Sequence, residues 1–303
     1  MLAKMVPRRH GLSLLAVGAL AAATAGCAKF GIVHDGTSVA WGTTNRGVLV
    51  NGTRLATEGE GFWMPPRWAA RGLHYGTDEL VSLVVHAARR VHAESPGARL
   101  GVGNLSPRGG GPSRWHGSHQ NGRDVDLLFY ARDARGRPVA MTAMVNFDED
   151  GGYTPPDGDA DDRLFFDVER NWLLARAILE SPIASVQWIF VAEHLKQMLL
   201  DHAIARGEPF GLVLKASYIL HQPSNAPPHA DHFHVRIFCP RGDVSLGCRN
   251  RGWVRWTKKG AKYPPARASI ARGEEALRDI AATPLHALLA LDTLAHREVV
   301  ARP

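Results

Sequence analysis

The sequence feature that most constrains the fold is an alternation of polar and apolar residues along two short segments, 124–130 and 232–238. A period of two is that of a β-strand, because successive side chains point to opposite faces of a sheet. His232, His234 and Arg236 therefore share one face, and the residues between them are apolar. The alternation predicts a sheet that packs a core on one side and presents imidazoles on the other.

The segment before the first of these strands carries further metal-ligand residue types. His119 precedes Asp126 by seven positions, and Gly122 between them permits a turn that brings the imidazole back over the carboxylate. Two neutral imidazoles and one carboxylate bind zinc tetrahedrally and leave the fourth position to water, which is the catalytic arrangement. A single His-x-His is expected about once by composition in a chain with 15 histidines, so that pair alone proves nothing. More informative is the presence of six histidines in or near the two polar segments: His116, His119, His221, His229, His232 and His234.

Helical and strand-like patterns are interspersed along the chain. Thr77 followed by Asp78 and Glu79 predicts a helix start, and apolar residues then repeat at helical spacing as far as the Ser-Pro-Gly at 95–97. Two further helices are predicted, over 167–179 and 193–206. Strands are predicted over 47–50, 99–102, 124–130, 186–191 and 232–238. This mixed order predicts an α+β fold with a small, mainly antiparallel sheet flanked by helices.

The first residues are typical of an export signal. Lys4, Arg8 and Arg9 precede an apolar run over 12–25 that is too short to span a bilayer comfortably as a permanent helix. The end of this run, 24–27, resembles the lipobox of bacterial lipoproteins, in which the cysteine is lipidated. We expect either lipidation of Cys27 or ordinary signal cleavage near Ala25. A signal peptide is therefore predicted over 1–26.

The three cysteines agree with an exported chain. Cys239 and Cys248 lie close together across a Pro-Arg-Gly-Asp turn, and an oxidising compartment favours their pairing as a disulfide. Cys27 is then the unpaired cysteine, which lipidation would explain.

The distribution of charge along the sequence limits the classes of ligand that we expect the protein to bind. The formal net charge is +7, part of it in the signal, and no stripe of lysine and arginine with interleaved aromatics is present, which argues against nucleic acid. The acidic, glycine-rich stretch 148–162 lacks the glycine and glutamate positions of an EF-hand, so a solvated surface loop is favoured over a calcium site.

The two polar segments resemble those of the metallopeptidases that include lysostaphin-type enzymes, D-alanyl-D-alanine peptidases and the hedgehog signalling domain. Their shared pattern is a histidine, six residues, an aspartate and a distant His-x-His. Within this group the sequence is most similar to the penicillin-insensitive murein endopeptidases, over most of 45–240. The resemblance implies the α+β fold of this superfamily, with a zinc peptidase domain over 27–257 followed by a basic, helical appendage over 258–303.

The resemblance also implies roles for individual residues. It makes His119, Asp126 and His234 the ligands of one Zn²⁺ ion. His232 would be a base or a stabiliser of the tetrahedral intermediate, and His229, which replaces the glutamate of related carboxypeptidases, would share in proton transfer. His116 would be a possible ligand of a second ion, although Tyr153 replaces a histidine of that second site. Arg236 would bind a substrate carboxylate or form a structural ion pair.

The function implied is hydrolysis of the D-alanyl to meso-diaminopimelate cross-links of peptidoglycan in the periplasm, by a protein anchored to the outer membrane if Cys27 is lipidated. The membrane would be a partner only through that anchor. Two alternatives are a D,D-carboxypeptidase or amidase acting on the same polymer, and a zinc-bearing wall-binding module without catalysis. The sequence has no Ser-x-x-Lys and no Gly-x-Ser-x-Gly, so we expect insensitivity to β-lactams.

Overall fold

A four-stranded sheet forms the centre of the molecule in the computed structural model, which describes residues 32–33, 37–224 and 226–252. Its strands are β1 (Asp124–Leu128), β2 (Val186–Phe190), β3 (Leu220–His221) and β4 (His232–Ile237). They lie in the order β3-β2-β4-β1, and all neighbours are antiparallel except β2 and β3. The prediction of an α+β fold with a mainly antiparallel sheet is confirmed.

The register between β4 and β1 sets the positions of the polar residues. His234 pairs with Asp126, and Arg236 pairs with Asp124. The alternate residues of β4, beginning with Phe233, are at most 1% exposed and pack in the core. The alternation in the sequence therefore predicts correctly which face of the strand meets the core.

Three helices of the described residues, over 168–180, 193–205 and 210–219, pack on the central sheet, and the four longer helices pack on one another. The predicted start at Thr77 is confirmed, because its hydroxyl caps the helix by accepting a hydrogen bond from the Leu80 amide. Asp167 caps the next long helix in the same way through the Arg170 amide. The helices are α1 (Pro66–Ala69), α2 (Asp78–Glu94), α3 (Val168–Glu180), α4 (Glu193–Ala205), α5 (Phe210–Ile219) and α6 (Arg241–Leu246).

Short strands make up the periphery. The predicted strand over 47–50 is one arm of an N-terminal hairpin, and the one predicted over 99–102 is shorter and lies outside the central sheet. The peripheral strands are Ile32–Val33, Val39–Thr43, Arg46–Val50, Thr53–Leu55, Glu58–Gly59, Phe62–Trp63, Tyr75–Gly76, Leu100–Gly101, Ala131–Arg132, Pro138–Val139, Gly152–Tyr153 and Leu164–Phe166.

Two further predictions can be compared with the structure. Cys239 and Cys248 form a disulfide with an S–S distance of 2.00 Å, as expected. The acidic stretch 148–162 is mostly exposed, and Asp148 forms an ion pair with Arg163 at 2.8 Å. The solvated-loop interpretation agrees with this exposure.

Some sequence predictions fall outside the described residues. These are the signal peptide over 1–26, the lipidation of Cys27 and the appendage over 258–303. Among the residues that are described, no helix combines the length and the apolar character needed to cross a membrane.

Candidate metal centre

Strands β1 and β4 bring histidines and aspartates of the two polar segments together on one face of the sheet. Asp126 on β1 lies opposite His234 on β4, with 3.4 Å between Asp126 Oδ1 and His234 Nδ1. His119 reaches the same carboxylate from the loop before β1, with its Nε2 at 3.2 Å from Asp126 Oδ1. All three side chains are nearly inaccessible to solvent. The three residues that the resemblance implies as ligands are therefore neighbours.

The approach of His119 depends on two residues with left-handed backbone conformation. The φ angle is +64° at His119 and +76° at Gly122. A Cβ atom at Gly122 would lie 2.9 Å from the amide nitrogen of Thr77 and 2.7 Å from Leu49 Cδ1, so both conformation and space favour glycine. The His119 amide donates a hydrogen bond to Asp124 Oδ2 at 3.1 Å. The turn expected at Gly122 is thus present and is tied to strand β1.

Several atoms of this cluster make no hydrogen bond within the described part of the chain. They are both carboxylate oxygens of Asp126 and the Nε2 atoms of His119 and His234, all buried. His119 Nδ1 instead donates to the carbonyl oxygen of Leu105 at 3.1 Å, which leaves its Nε2 as the nitrogen with a free lone pair. A buried polar atom without a partner costs roughly 1–3 kcal/mol. Buried imidazole and carboxylate atoms left free in this way fit a bound cation, and zinc uses these residue types.

Three sets of potential ligand atoms lie within 4.8 Å of one another in the described part of the chain: those of His116, His119 and Asp126, those of His119, Asp124 and His234, and those of His229, His232 and His234. The second set contains another carboxylate, that of Asp124. Sequence analysis did not identify Asp124 as part of the centre. Its Oδ1 accepts a hydrogen bond from Arg236 Nε at 2.6 Å, and its Oδ2 accepts one from Arg236 Nη2 at 3.0 Å. Asp126 has no comparable donors, so Asp126 is the carboxylate that is available to a cation. The ion pair is one of the two roles expected for Arg236; the other, holding a substrate carboxylate, stays a prediction.

The electrostatics of the cluster favour a charged Asp126 carboxylate and a neutral His234 imidazole. Burial acts to raise the pKa of Asp126, but His119 and His232 outweigh it and hold this pKa well below its usual range. Burial lowers the pKa of His234 to about 4. Metal ions bind histidine in its neutral form and aspartate in its charged form, so both states suit a metal site.

Two more histidines stand beside the cluster. His232 Nδ1 donates a hydrogen bond to Asp231 Oδ1 at 2.7 Å, and His232 Nε2 lies 3.4 Å from Asp126 Oδ1. Burial disfavours the charged form of His232, but Asp126 and Asp231 outweigh it and raise its pKa to about 10. His229 lies with its ring centroid 5.1 Å from that of His232, and burial lowers its pKa to about 4. These pKa shifts favour a protonated His232 beside a neutral His229.

His116 lies next to the cluster but is engaged elsewhere. Its ring centroid lies 4.2 Å from that of His119, with the two rings tilted by 32°, and its Nε2 accepts a hydrogen bond from Asn104 Nδ2 at 2.7 Å. That hydrogen bond uses the lone pair that a metal would require. The same Nε2 lies 3.5 Å from Asp126 Oδ2, so His116 could join an ion shared with Asp126 only if the hydrogen bond from Asn104 were broken. Asp150, which stands with Tyr153 at the sequence positions that match the second site, belongs to no potential metal-binding group of histidines, cysteines and carboxylates among the described residues.

Sequence comparison places the whole cluster within one family. Residues 40–258 match the family described as penicillin-insensitive murein endopeptidase, a span that covers more than half of the chain and contains every residue of the candidate centre. This chain belongs to the penicillin-insensitive murein endopeptidase family. Two similar proteins that bear this name come from strains of Klebsiella pneumoniae. Each is 26% identical to this member of the family over 224 residues, which covers 71% of either chain.

Proposed function

We propose that this protein is a zinc-dependent endopeptidase that hydrolyses the D-alanyl to meso-diaminopimelate cross-links of peptidoglycan. The observation that carries the proposal is the approach of His119 and His234 to the buried carboxylate of Asp126, whose two oxygens have no hydrogen-bond donor among the described residues. Membership of the murein endopeptidase family, and the name of the Klebsiella relatives, support peptidoglycan as the substrate.

The metal would be held by His119, Asp126 and His234. The Leu105 carbonyl oxygen orients His119, and the Asp124–Arg236 pair supports the strand face from which Asp126 and His234 project. When bound, zinc would polarise the scissile carbonyl group and lower the pKa of a water molecule towards neutrality. His116 is left as a side chain that lines the cleft.

The two remaining histidines would handle the protons. His232 is oriented by its hydrogen bond to Asp231, and its Nε2 faces the metal ligands. A proton held at Nε2 would pass to the departing amine, which must be protonated to leave. His229, buried and neutral beside it, would accept the proton that the attacking water loses and pass it to His232, which restores the protonated state of His232. His229 and His232 are therefore the proposed catalytic residues.

The decisive experiment uses sacculi that contain diaminopimelate cross-links. Mature protein is incubated with them after treatment with a chelator, and again after zinc is restored, and the products are identified by mass spectrometry. We expect cross-linked dimers to disappear only when zinc is present and a β-lactam to have no effect. Persistence of the dimers at full zinc occupancy would refute the endopeptidase. Release of terminal D-alanine alone, or cleavage at the sugar-linked amide, would point to the carboxypeptidase or the amidase.

Paired variants test the division of roles among the histidines. His234→Ala should lose zinc together with activity, because it removes a ligand. His232→Ala should retain zinc and lose at least about 100-fold in turnover, because it removes only a proton donor. His86→Ala, on helix α2 outside the cluster, is a control for general loss of stability. Equal loss of metal in the His232 and His234 variants would overturn this assignment.

The proposed site of action is the periplasm, where the cell wall substrate lies. Attachment to the outer membrane through a lipid on Cys27 is part of the same proposal. Mass spectrometry of the mature amino terminus distinguishes a lipid-bearing Cys27 from ordinary cleavage near Ala25.

A further inference from the structure

A group of arginines and tryptophans lies beside the candidate metal centre. The guanidinium of Arg71 stacks over the ring of Trp115, with 3.8 Å between Arg71 Cζ and the ring centroid. Arg114 approaches the same ring at 4.6 Å. Arg67 lies 4.9 Å from the ring centroid of Trp68. We call these five residues the arginine–tryptophan cluster.

None of the three arginines has a carboxylate within ion-pair distance in the described part of the protein. Other arginines are paired there: Arg236 with Asp124, and Arg163 with Asp148. Trp115 is 43% exposed although it is a large aromatic side chain. An aromatic ring attracts a guanidinium through its quadrupole but does not neutralise it, so the cluster keeps its positive charge available to a ligand.

The arginine–tryptophan cluster is joined directly to the metal centre. Trp115 is adjacent in sequence to His116, whose ring stacks on His119. Burial and the neighbouring Arg67 lower the pKa of Arg71, while Asp126 acts in the opposite direction. Because Trp115 contacts the Arg71 guanidinium and directly precedes His116, whose ring lies 4.2 Å from that of His119, the guanidinium lies at the side of the proposed reaction site.

We propose that Arg71, held in place by Trp115, binds a free carboxylate of the substrate immediately next to the scissile bond. This inference rests on the proposed function. In a D-alanyl to meso-diaminopimelate cross-link, the carbon that bears the scissile amide nitrogen also bears a free carboxylate. That carboxylate is the substrate charge closest to the bond that breaks, so it is the group that a guanidinium beside the centre would meet first.

The geometry of the cluster suits this ligand. A guanidinium can donate two parallel hydrogen bonds to one carboxylate, and stacking on a ring leaves its N–H edge free. Arg114 and Arg67 add positive potential around the same point, which attracts an anionic peptide from solution. Arg71 is therefore a specificity-determining residue for peptides that carry this carboxylate.

Equilibrium binding tests the proposal independently of catalysis. A soluble muropeptide with the diaminopimelate carboxylate free, and the same muropeptide with that group converted to a carboxamide, are titrated against zinc-loaded protein by calorimetry. We expect the amidated peptide to bind wild type at least about 10-fold more weakly, and Arg71→Ala to bind both peptides alike. Arg71→Lys should restore part of the preference, because charge is retained and the bidentate geometry is lost. Arg135→Ala, an exposed arginine elsewhere, is the matched control and should keep the full preference.

The outcomes separate this proposal from the proposed function. Equal binding of the two peptides to wild type, or an undiminished preference in Arg71→Ala, would overturn the role of Arg71 whatever the activity. Failure of wild type to cleave cross-links, with an Arg71-dependent preference in binding, would overturn the endopeptidase and leave the carboxylate site standing. Zinc content and thermal unfolding of Arg71→Ala should equal those of wild type; a loss of zinc in this variant would count against a role confined to substrate binding.

Discussion

At the scale of single residues, the centre is organised by two aspartates that share one face of strand β1 and have opposite surroundings. Asp124 accepts hydrogen bonds from Arg236 and from the His119 amide, so its charge is already compensated. Asp126 has only imidazole nitrogens around its buried oxygens. Two identical side chains two positions apart therefore have different surroundings, and among the two only the Asp126 carboxylate lacks a hydrogen-bond donor within the described part of the chain.

This division predicts different results for two conservative variants. Asp126→Asn should abolish tight zinc binding, because it removes a charged ligand. Asp124→Asn should weaken zinc binding by only about 10–100-fold, the usual effect of a supporting residue. It should also lower the free energy of unfolding by about 3 kcal/mol, because Arg236 is left partly buried without its partner. Zinc titration and denaturant unfolding of both variants measure these effects; equal loss of zinc would refute the distinction.

A second prediction concerns the turn that presents His119. Gly122→Ala should be strongly destabilising, because the alanine would be strained at a φ of +76° and would also press on the Thr77 amide and Leu49. Gly97→Ala is the matched control, since Gly97 has a φ of +85° and open space around the position of a Cβ atom. We expect the free energy of unfolding of the control to fall by about 1–2 kcal/mol because of the strained conformation alone. That of Gly122→Ala should fall by at least about 1 kcal/mol more, because of the close contacts. Similar losses would mean that space at Gly122 is not limiting.

At the scale of elements, the sequence predicts well those segments whose signal is local. Strands β1 and β4 alternate with a period of two, and helix α2 has a capping threonine followed by acidic residues, so their positions agree with expectation within about two residues. Helix α5 was not predicted, because it begins after Pro209 without a capping side chain and its apolar residues show no clear stripe. Helix α6 has only six residues and lies where the sequence predicts a Pro-Arg-Gly-Asp turn.

The pairing of elements is what local patterns do not supply. The Asp124–Arg236 ion pair joins residues 112 positions apart and exists only because β4 pairs with β1 in one particular register. The hydrogen bond from Asn104 to His116 likewise depends on how two loops meet. Candidate ligands could therefore be named from the sequence, whereas the support of one aspartate and the engagement of His116 required the structure.

The cap of helix α2 gives a prediction at this scale. Thr77→Ala should lower the free energy of unfolding by about 1 kcal/mol, because the Leu80 amide loses its acceptor. Thr77→Ser keeps the hydroxyl group and should recover most of that loss. Chemical denaturation of the three proteins measures the effect. Equal destabilisation by alanine and serine would assign the role of Thr77 to packing of its methyl group.

At the scale of the whole molecule, the last described residues hold the N-terminal hairpin against the central sheet. Asp243 on helix α6 accepts a hydrogen bond from the Ala40 amide at 2.7 Å, and the Arg249 amide donates to the carbonyl oxygen of Gly42 at 2.8 Å. The buried Arg123 donates to the carbonyl oxygens of Ile237 and Arg249. The disulfide closes this arrangement, so it stabilises contacts between distant parts of the chain.

Replacement of both cysteines tests that arrangement. Cys239→Ser with Cys248→Ser should lower the free energy of unfolding by about 2–3 kcal/mol, the entropic effect expected when a loop with a sequence separation of nine is no longer closed. Wild type unfolded in the presence of a reducing agent should show the same loss, and the double variant should be insensitive to that agent. No loss on reduction would mean that the hydrogen bonds alone hold helix α6 in place.

We expect histidines that are buried in neutral form to make stability depend on pH, and His74 is one of them that lies outside the candidate metal centre. His74 is 6% exposed, its Nε2 donates to the carbonyl oxygen of Ala69 at 2.8 Å, and burial, with a smaller contribution from Arg54, lowers its pKa below the ordinary 6.5. As the pH falls below 6.5, the unfolded chain takes up a proton at this position more readily than the folded protein does, so folding stability is complete above 6.5 and declines below it. For one such group, the free energy of unfolding changes by at most about 1.4 kcal/mol per pH unit.

His74→Gln tests this contribution. The variant keeps a side-chain N–H donor but does not titrate, so its free energy of unfolding should decline less than that of wild type between pH 7.5 and pH 5. Parallel stability curves for the two proteins over this range would show that His74 carries none of the acid sensitivity.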